Sequence, residues 1–269
     1  MKMPPAAGGN HSPRTPWMGG QGLLRRALTW LGGKGRQAAL GLCNRCPGCG
    51  ALLPPGAAGD AVCPACAAAL APRRGGYCPR CGEMTDDPDG PVALCPTCRA
   101  SGRAWDELAF HARYAGLVRE LILDFKFRGR LGRGRLLGGL LVAACRRLAF
   151  PAAGAPDMLL PVPLHPRRLA WRGFNQSLEL AKVVGRALAV PVRADGLCRI
   201  RYTTPQSQLS GAERLGNLQG AFRADPAVVG GRAVVLVDDV MTTGATVATA
   251  ATAVRRAGAA RVDVLVIAR

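Results

Sequence analysis

Two groups of residues in this chain have types and spacings that could do chemistry: an acidic pair running into a threonine-rich loop, and a set of repeated cysteine pairs. The first lies in VVLVDDVMTTGATV, residues 234–247. A loop at a helix N-terminus presents unpaired amides and a partial positive charge, which together bind a phosphate dianion. Thr242, Thr243 and Thr246 add hydroxyl donors, and Gly244, next to Ala245, lets the backbone come close. Asp238 and Asp239 would repel that phosphate unless they were engaged elsewhere. They can accept hydrogen bonds from vicinal sugar hydroxyls and hold Mg²⁺ directly or through water, so the loop fits a ribose carrying a 5-phosphate.

The cysteines fall into four CPxC pairs: Cys46/Cys49, Cys63/Cys66, Cys78/Cys81 and Cys95/Cys98. Thirteen residues separate Cys49 from Cys63, and thirteen separate Cys81 from Cys95, so the arrangement is an internal repeat. Each unit supplies the four thiolates a tetrahedral Zn²⁺ requires, and four protein ligands leave no open position, which makes both sites structural. Gly50 and Gly82 follow the first knuckle of each unit, where a tight turn lets backbone amides approach sulfur. A disulfide framework would leave the repeated spacing unexplained and does not suit a reducing compartment. Cys43 forms an alternative knuckle, CNRC, with Cys46, but using it breaks the matched gaps, so it reads as spare. Cys145 and Cys198 stand alone and read as core or near-surface residues.

The elements that position these groups are legible around them. Val234 to Val237 reads as a strand buried on both faces that stops at Asp238. Val247, Ala250, Ala251 and Val254 recur with helical spacing, Gly258 ends that helix, and Val262 to Ile267 is a second strand. The acidic pair and its loop therefore sit at the carboxyl edge of a parallel sheet, where open α/β sheets bind ligands. Upstream, 157–164 reads as another strand. The polar turn HPRRLAWRGFNQS leads from it into a helix from Leu178 to Leu188, capped by Asn175 or Ser177, and brings Arg167, Arg168 and Arg172 to the same edge. A candidate strand at 107–114 and helices at 116–127 and 135–148 precede this unit. The glycines of FRGRLGRGRLLGG, 127–139, lack the spacing of a dinucleotide fingerprint and read as a basic connecting loop.

Thirty-six basic against seventeen acidic residues leave a formal charge of +19, which favours polyanionic partners or, alternatively, reflects a solvated basic face. There is no transmembrane segment and no apolar signal core, so the expected compartment is cytoplasmic. Arg25 and Arg26 on the short amphipathic stretch 23–31 read as part of a frayed helix before the domain or, alternatively, as a contact with a partner or with the inner face of the membrane. Trp105, Phe110, Tyr114 and Phe127 read as core, which argues against an aromatic platform for nucleic-acid bases. Lys126 has two readings, near the pocket or a solvated or structural lysine.

LVDDVMTTGAT resembles the phosphoribosyl pyrophosphate (PRPP) motif of type I phosphoribosyltransferases. With YAGLVRELILDFKFRGR, VPLHPRRLAWRGFNQS, RYTTPQSQLSGAERLGNLQGAF and the twin cysteine units, residues 43–269 resemble the ComF family of competence-associated, phosphoribosyltransferase-like proteins. The resemblance implies an α/β fold, a type I phosphoribosyltransferase-like parallel sheet flanked by helices, preceded by a small double zinc ribbon. The expected division is a disordered basic segment at 1–42, the double ribbon at 43–99 and the phosphoribosyltransferase-like domain at 105–269. By the same resemblance Asp238 and Asp239 contact the ribose hydroxyls and Mg²⁺, and Thr242, Thr243, Gly244, Ala245 and Thr246 cradle the 5-phosphate. Arg167 and Arg168 approach the pyrophosphate, and Tyr202 to Asn217, with Arg214, forms a mobile flap. The implied partners are PRPP or a similar ligand, single-stranded DNA, and proteins of the competence machinery. If catalysis occurs, pyrophosphate leaves the anomeric carbon through an oxocarbenium-like state. Residues 105–156 show no recognisable base pocket, so ligand binding is favoured over a named transferase reaction. The alternatives are a single-stranded nucleic-acid adaptor with a non-catalytic phosphoribosyl site and an active phosphoribosyltransferase.

Overall fold

The computed structural model describes residues 44–54, 56–57, 61–130, 132–148, 155–202 and 219–269. The N-terminal segment 1–42, Cys43 and the candidate flap from Thr203 to Asn217, including Arg214, lie outside the described residues. Two short helices come first, α1 (Pro64–Ala69) and α2 (Pro96–Ala100), one in each cysteine unit. The larger body follows as β1 (Leu108–Ala112), α3 (Gly116–Phe127), α4 (Arg133–Cys145), β2 (Met158–Pro161), α5 (Pro166–Arg172) and α6 (Gln176–Leu188). It continues through β3 (Leu197–Arg199), β4 (Phe222–Ala224), α7 (Pro226–Val229), β5 (Ala233–Val240), α8 (Ala245–Arg256) and β6 (Arg261–Ala268).

A four-stranded sheet has the order β1-β6-β5-β2, and every neighbouring pair is parallel. Its strands are apolar on both faces because both faces are covered. Val234 and Leu236 of β5, with Val262, Val264 and Val266 of β6, pack under Val247, Ala250, Ala251 and Val254 of α8. Val235, Val237, Leu265 and Ile267 face the other way, against Leu121, Ile122 and Phe125 of α3, Leu137 and Leu141 of α4, and Leu180 and Val184 of α6. The period-two alternation of each strand thus feeds two separate cores. Among the described residues, no helix is long and apolar enough to cross a membrane.

Three expectations are corrected. The strand does not stop at Asp238: β5 runs to Val240, with Asp238 paired to Val266 and Val240 to Ala268. The turn after β2 contains a helix, α5, which opens on Pro166 with the His165 side chain accepting a hydrogen bond from the Arg167 amide. Phe127 is not core but 56% exposed, because α3 ends there and turns its last side chain outward. Trp105 and Phe110 are buried as expected, Cys145 lies in the core, and Cys198 is exposed.

Candidate functional site

Because β2 and β5 are parallel neighbours, with Pro161 beside Val237, the loops that leave their carboxyl ends open at one place. A cleft of about 280 Å³ lies there, lined by Val162, Pro163 and Leu164 after β2, by Asp238, Asp239, Thr242 and Thr246 after β5, and by Tyr114, Lys126, Arg168, Arg172, Gln176, Ser177 and Arg199 around them. Asn175 caps α6, its side chain accepting from the Ser177 amide and donating to Val162 O, which ties the helix start to the end of β2.

The two carboxylates are engaged, as their position demands. Lys126 Nζ stands 2.9 Å from Asp239 Oδ2, with the two side chains 19% and 8% exposed. Ser177 Oγ donates to Asp238 Oδ1 at 2.8 Å, and the Asp239 amide donates to the same oxygen at 2.9 Å. Burial and the charge of Asp239 nevertheless push the Asp238 carboxyl up to about 7, against the pull of Lys126 and Ser177. Burial lowers Lys126, but the ion pair with Asp239 outweighs it and the ammonium is held above its ordinary range. Arg199 is brought down to about 10 by burial and by repulsion from Arg168, and Arg172 is lowered for the same reasons. Lys126, Arg168, Arg172 and Arg199 outnumber Asp238 and Asp239, so the cleft carries an excess of positive charge that suits an anionic ligand. Among the described residues, Arg172 Nε and Gln176 Nε2 are buried donors that find no acceptor. Buried donors ordinarily find a partner, so these two are available to a ligand.

The loop itself begins where β5 ends, with the Met241 amide on Ala268 O at 3.0 Å. Gly244 takes φ +78°, the left-handed region, and starts the twelve-residue helix α8 without a side-chain cap of its own. Thr242 and Thr246 line the cleft, Thr243 Oγ1 accepts from the Ala245 amide at 3.4 Å, and Ala245 is buried beneath the turn. Of the two arginines expected near pyrophosphate, Arg168 lines the cleft while Arg167 stacks over the Tyr202 ring at 5.4 Å. Sequence singles out Ser177 only as a candidate helix cap, and does not single out Gln176 or Arg199. Gln176 and Ser177 open α6 immediately after RGFN, a readable position, whereas Arg199 comes from β3, a strand of three residues, too short to show a period.

Both cysteine units close as the spacing predicts. The four Sγ atoms of Cys46, Cys49, Cys63 and Cys66 lie within 4.8 Å of one another, as do those of Cys78, Cys81, Cys95 and Cys98. Cys49 and Cys63 Sγ are 3.7 Å apart and Cys81 and Cys95 Sγ 3.6 Å. A tetrahedron with Zn–S of about 2.3 Å places sulfurs about 3.8 Å apart, so both sets fit zinc. The repeat extends to the backbone: Gly50 and Gly82 each donate to the first cysteine's carbonyl at 2.8 Å, and Cys63 and Cys95 each cap their helix. Burial raises the Cys46 thiol, but the amides of Cys63, Cys49 and Gly48 win and bring it down to about 6, while burial and the neighbouring cysteines push the Cys66 thiol up.

Residues 175–269 match the phosphoribosyl transferase domain. The chain is 39% identical over 168 residues to the DNA utilization protein YhgH of Escherichia coli K12, covering 61% of this chain and 73% of that one. It is 32% identical over 169 residues to competence protein F of Haemophilus influenzae, covering 62% and 74%. Glutamine PRPP amidotransferase from B. subtilis, in complex with ADP and GMP, overlaps 49% of this chain and 25% of its own at 28% identity, with a TM-score of 0.33. The aspartate pair, its threonine loop and the β5–β6 pairing beside them fall in the matched domain, while β2 precedes it, and the relatives extend the likeness beyond it: the chain belongs to the ComF/YhgH family, with a phosphoribosyltransferase domain that is preceded here by two Cys₄ clusters.

Proposed function

We propose that this protein binds PRPP or a closely related phosphoribosyl ligand in the cleft at the carboxyl edge of the sheet, and does so in support of DNA uptake or utilization. The observation that carries the reading is the engagement of Asp238 by Ser177 and of Asp239 by Lys126 immediately before the glycine turn that starts α8. The carboxylates are held for a sugar's hydroxyls without driving off the phosphate that the loop amides and Thr242, Thr243 and Thr246 receive. Gly244 and Ala245 shape that turn, and Arg168 and Arg172, with Arg214 from the adjoining segment, would meet the pyrophosphate. Mg²⁺ with the ligand would neutralise pyrophosphate charge, Asp238 and Asp239 being its nearest carboxylates. Zn²⁺ at the two cysteine sets holds a ribbon module, 43–99, against the domain 105–269. The thiolate sites suit a reducing, cytoplasmic location.

Calorimetric titration of zinc-loaded protein with PRPP and Mg²⁺ tests the reading, with ribose 5-phosphate and the Asp238→Asn/Asp239→Asn variant as controls. Saturable binding lost in the variant supports it. Absence of heat in the wild type sinks it.

A second reading, a single-stranded DNA adaptor, is favoured by one feature of the surface. Trp171, Phe127 and Tyr202 are 75%, 56% and 51% exposed, beside arginines that line the cleft. Arg172 lies 4.9 Å over Phe127 and 6.0 Å over Trp171, and Arg167 and Arg168 flank Tyr202. Exposed rings beside guanidinium groups suit stacked bases and phosphates. The DNA utilization and competence names of the relatives agree with that use, and partners from the competence machinery would follow from it.

A further inference from the structure

The two zinc units repeat one another, yet they touch different things. In the second, three successive carbonyls of the first knuckle are used: Pro79 O accepts from the Leu108 amide at 3.0 Å, Arg80 O from Trp105 Nε1 at 2.6 Å, and Cys81 O from Arg269 Nε at 2.8 Å. Arg269 also donates to the Thr242 carbonyl, inside the phosphate loop, and pairs with Glu83 at 3.6 Å. Its backbone is fixed from both sides, N–H to Ala112 O and C=O from the Tyr114 amide. Trp105, 3% exposed, reaches the same loop: a Cβ placed on Gly244 would stand 3.8 Å from its Cη2. A Cβ on Gly82 would come 2.7 Å from Arg269 Cγ, so knuckle and arginine are in close contact. In the first unit the carbonyl corresponding to Arg80, that of Gly48, accepts instead from Arg133 Nη1 at 2.9 Å, on the first turn of α4.

We propose that Arg269 and Trp105 are positioning residues through which the second zinc knuckle, and not the first, sets the conformation of the phosphate loop 241–246. Zn²⁺ held by Cys78 and Cys81 would fix the knuckle carbonyls of Pro79, Arg80 and Cys81, which fix the Trp105 indole and the Arg269 guanidinium, which hold Thr242 and Gly244. Loss of the metal frees the thiolates to separate and removes the fixed acceptors. The consequence for ligand affinity rests on the phosphoribosyl reading above; the coupling of knuckle to loop does not.

The test is amide hydrogen exchange, read by mass spectrometry on full-length, zinc-loaded protein, in wild type and in Arg269→Ala, Cys78→Ser and Cys46→Ser. Exchange across 241–246 should quicken about tenfold in Arg269→Ala, which keeps both zincs, and in Cys78→Ser, while Cys46→Ser leaves it unchanged. Arg269→Lys, which keeps a donor, should restore part of the protection. By reciprocity, PRPP with Mg²⁺ should slow release of one zinc of the two to a chromogenic chelator by a similar factor. Unchanged loop exchange in Arg269→Ala, or equal quickening in Cys46→Ser, overturns the proposal, and the first of these decides it even if Cys78→Ser fails to fold. If wild type binds no PRPP, the ligand reading falls while loop exchange still decides the coupling.

Discussion

Lys126 meets Asp239 with both side chains largely shielded from water, and a pair so placed is worth most when one half is removed. Lys126→Met leaves a nearly buried carboxylate without its counter-charge, so urea unfolding should show a loss of about 3 kcal/mol, and Lys126→Met/Asp239→Asn should recover much of it. Asp238 gives a second, independent signal. Its folded-state value of about 7 lies above that of an unfolded aspartate, so its contribution to stability is complete below about pH 4 and lost as pH rises through about 7. Asp238→Asn should therefore unfold later than wild type at pH 8 and lose that advantage by pH 4, while abolishing ligand binding. Ligand hydroxyls and Mg²⁺ require the ionised carboxylate, so PRPP affinity should rise with pH, by up to about tenfold per unit below 7, and level off above. The ligand's own phosphate also titrates. Ser177→Ala separates the two, because losing the Ser177 hydrogen bond moves the midpoint upward only if Asp238 sets it.

At the scale of the element, what positions the site is a turn. Gly244 at φ +78° lets β5 run straight into α8, and an alanine there would meet nothing closer than 3.5 Å. Its cost is therefore backbone strain without a clash. Gly244→Ala should lower stability by about 1 kcal/mol in denaturant titration, with a larger proportional loss of PRPP affinity, because the strain falls on the turn proposed to receive the phosphate. This strand, turn and helix were readable because the apolar run 234–237 and the spacing Val247, Ala250, Ala251, Val254 report burial directly. So were the knuckles, whose cysteine spacing is dictated by the metal's geometry. The end of β5 was misplaced because its last three residues, Asp238 to Val240, pair through backbone while their side chains serve the cleft. The β3–β4 hairpin left no trace, since three residues a strand are too few to show alternation. Helix α5 buries no residue, so its sequence looks like a turn. Lys126 could be named but not assigned, because an ion pair between residues 126 and 239 has no local signature.

Over the whole molecule the excess of +19 is not spread evenly with respect to function. Arg168 lines the cleft and flanks Tyr202; Arg172 lines the cleft and stacks on Phe127 and Trp171. The proposed phosphoribosyl site and the aromatic surface thus share the same guanidinium groups, and one group cannot satisfy two polyanions at once. If single-stranded DNA uses this surface, saturating PRPP with Mg²⁺ should weaken oligothymidine binding, seen by fluorescence anisotropy at fixed salt, and DNA should weaken PRPP by the same factor. Trp171→Ala should cost about 1–3 kcal/mol of DNA affinity without changing its salt dependence, since stacking releases no counterions. Arg172→Ala should do the opposite: it lowers the salt slope by about one and also relieves the competition, because it removes a charge both ligands contact. Competition that survives unaltered in Arg172→Ala would place the DNA elsewhere on the basic surface, and the exposed tryptophan would then need a different partner.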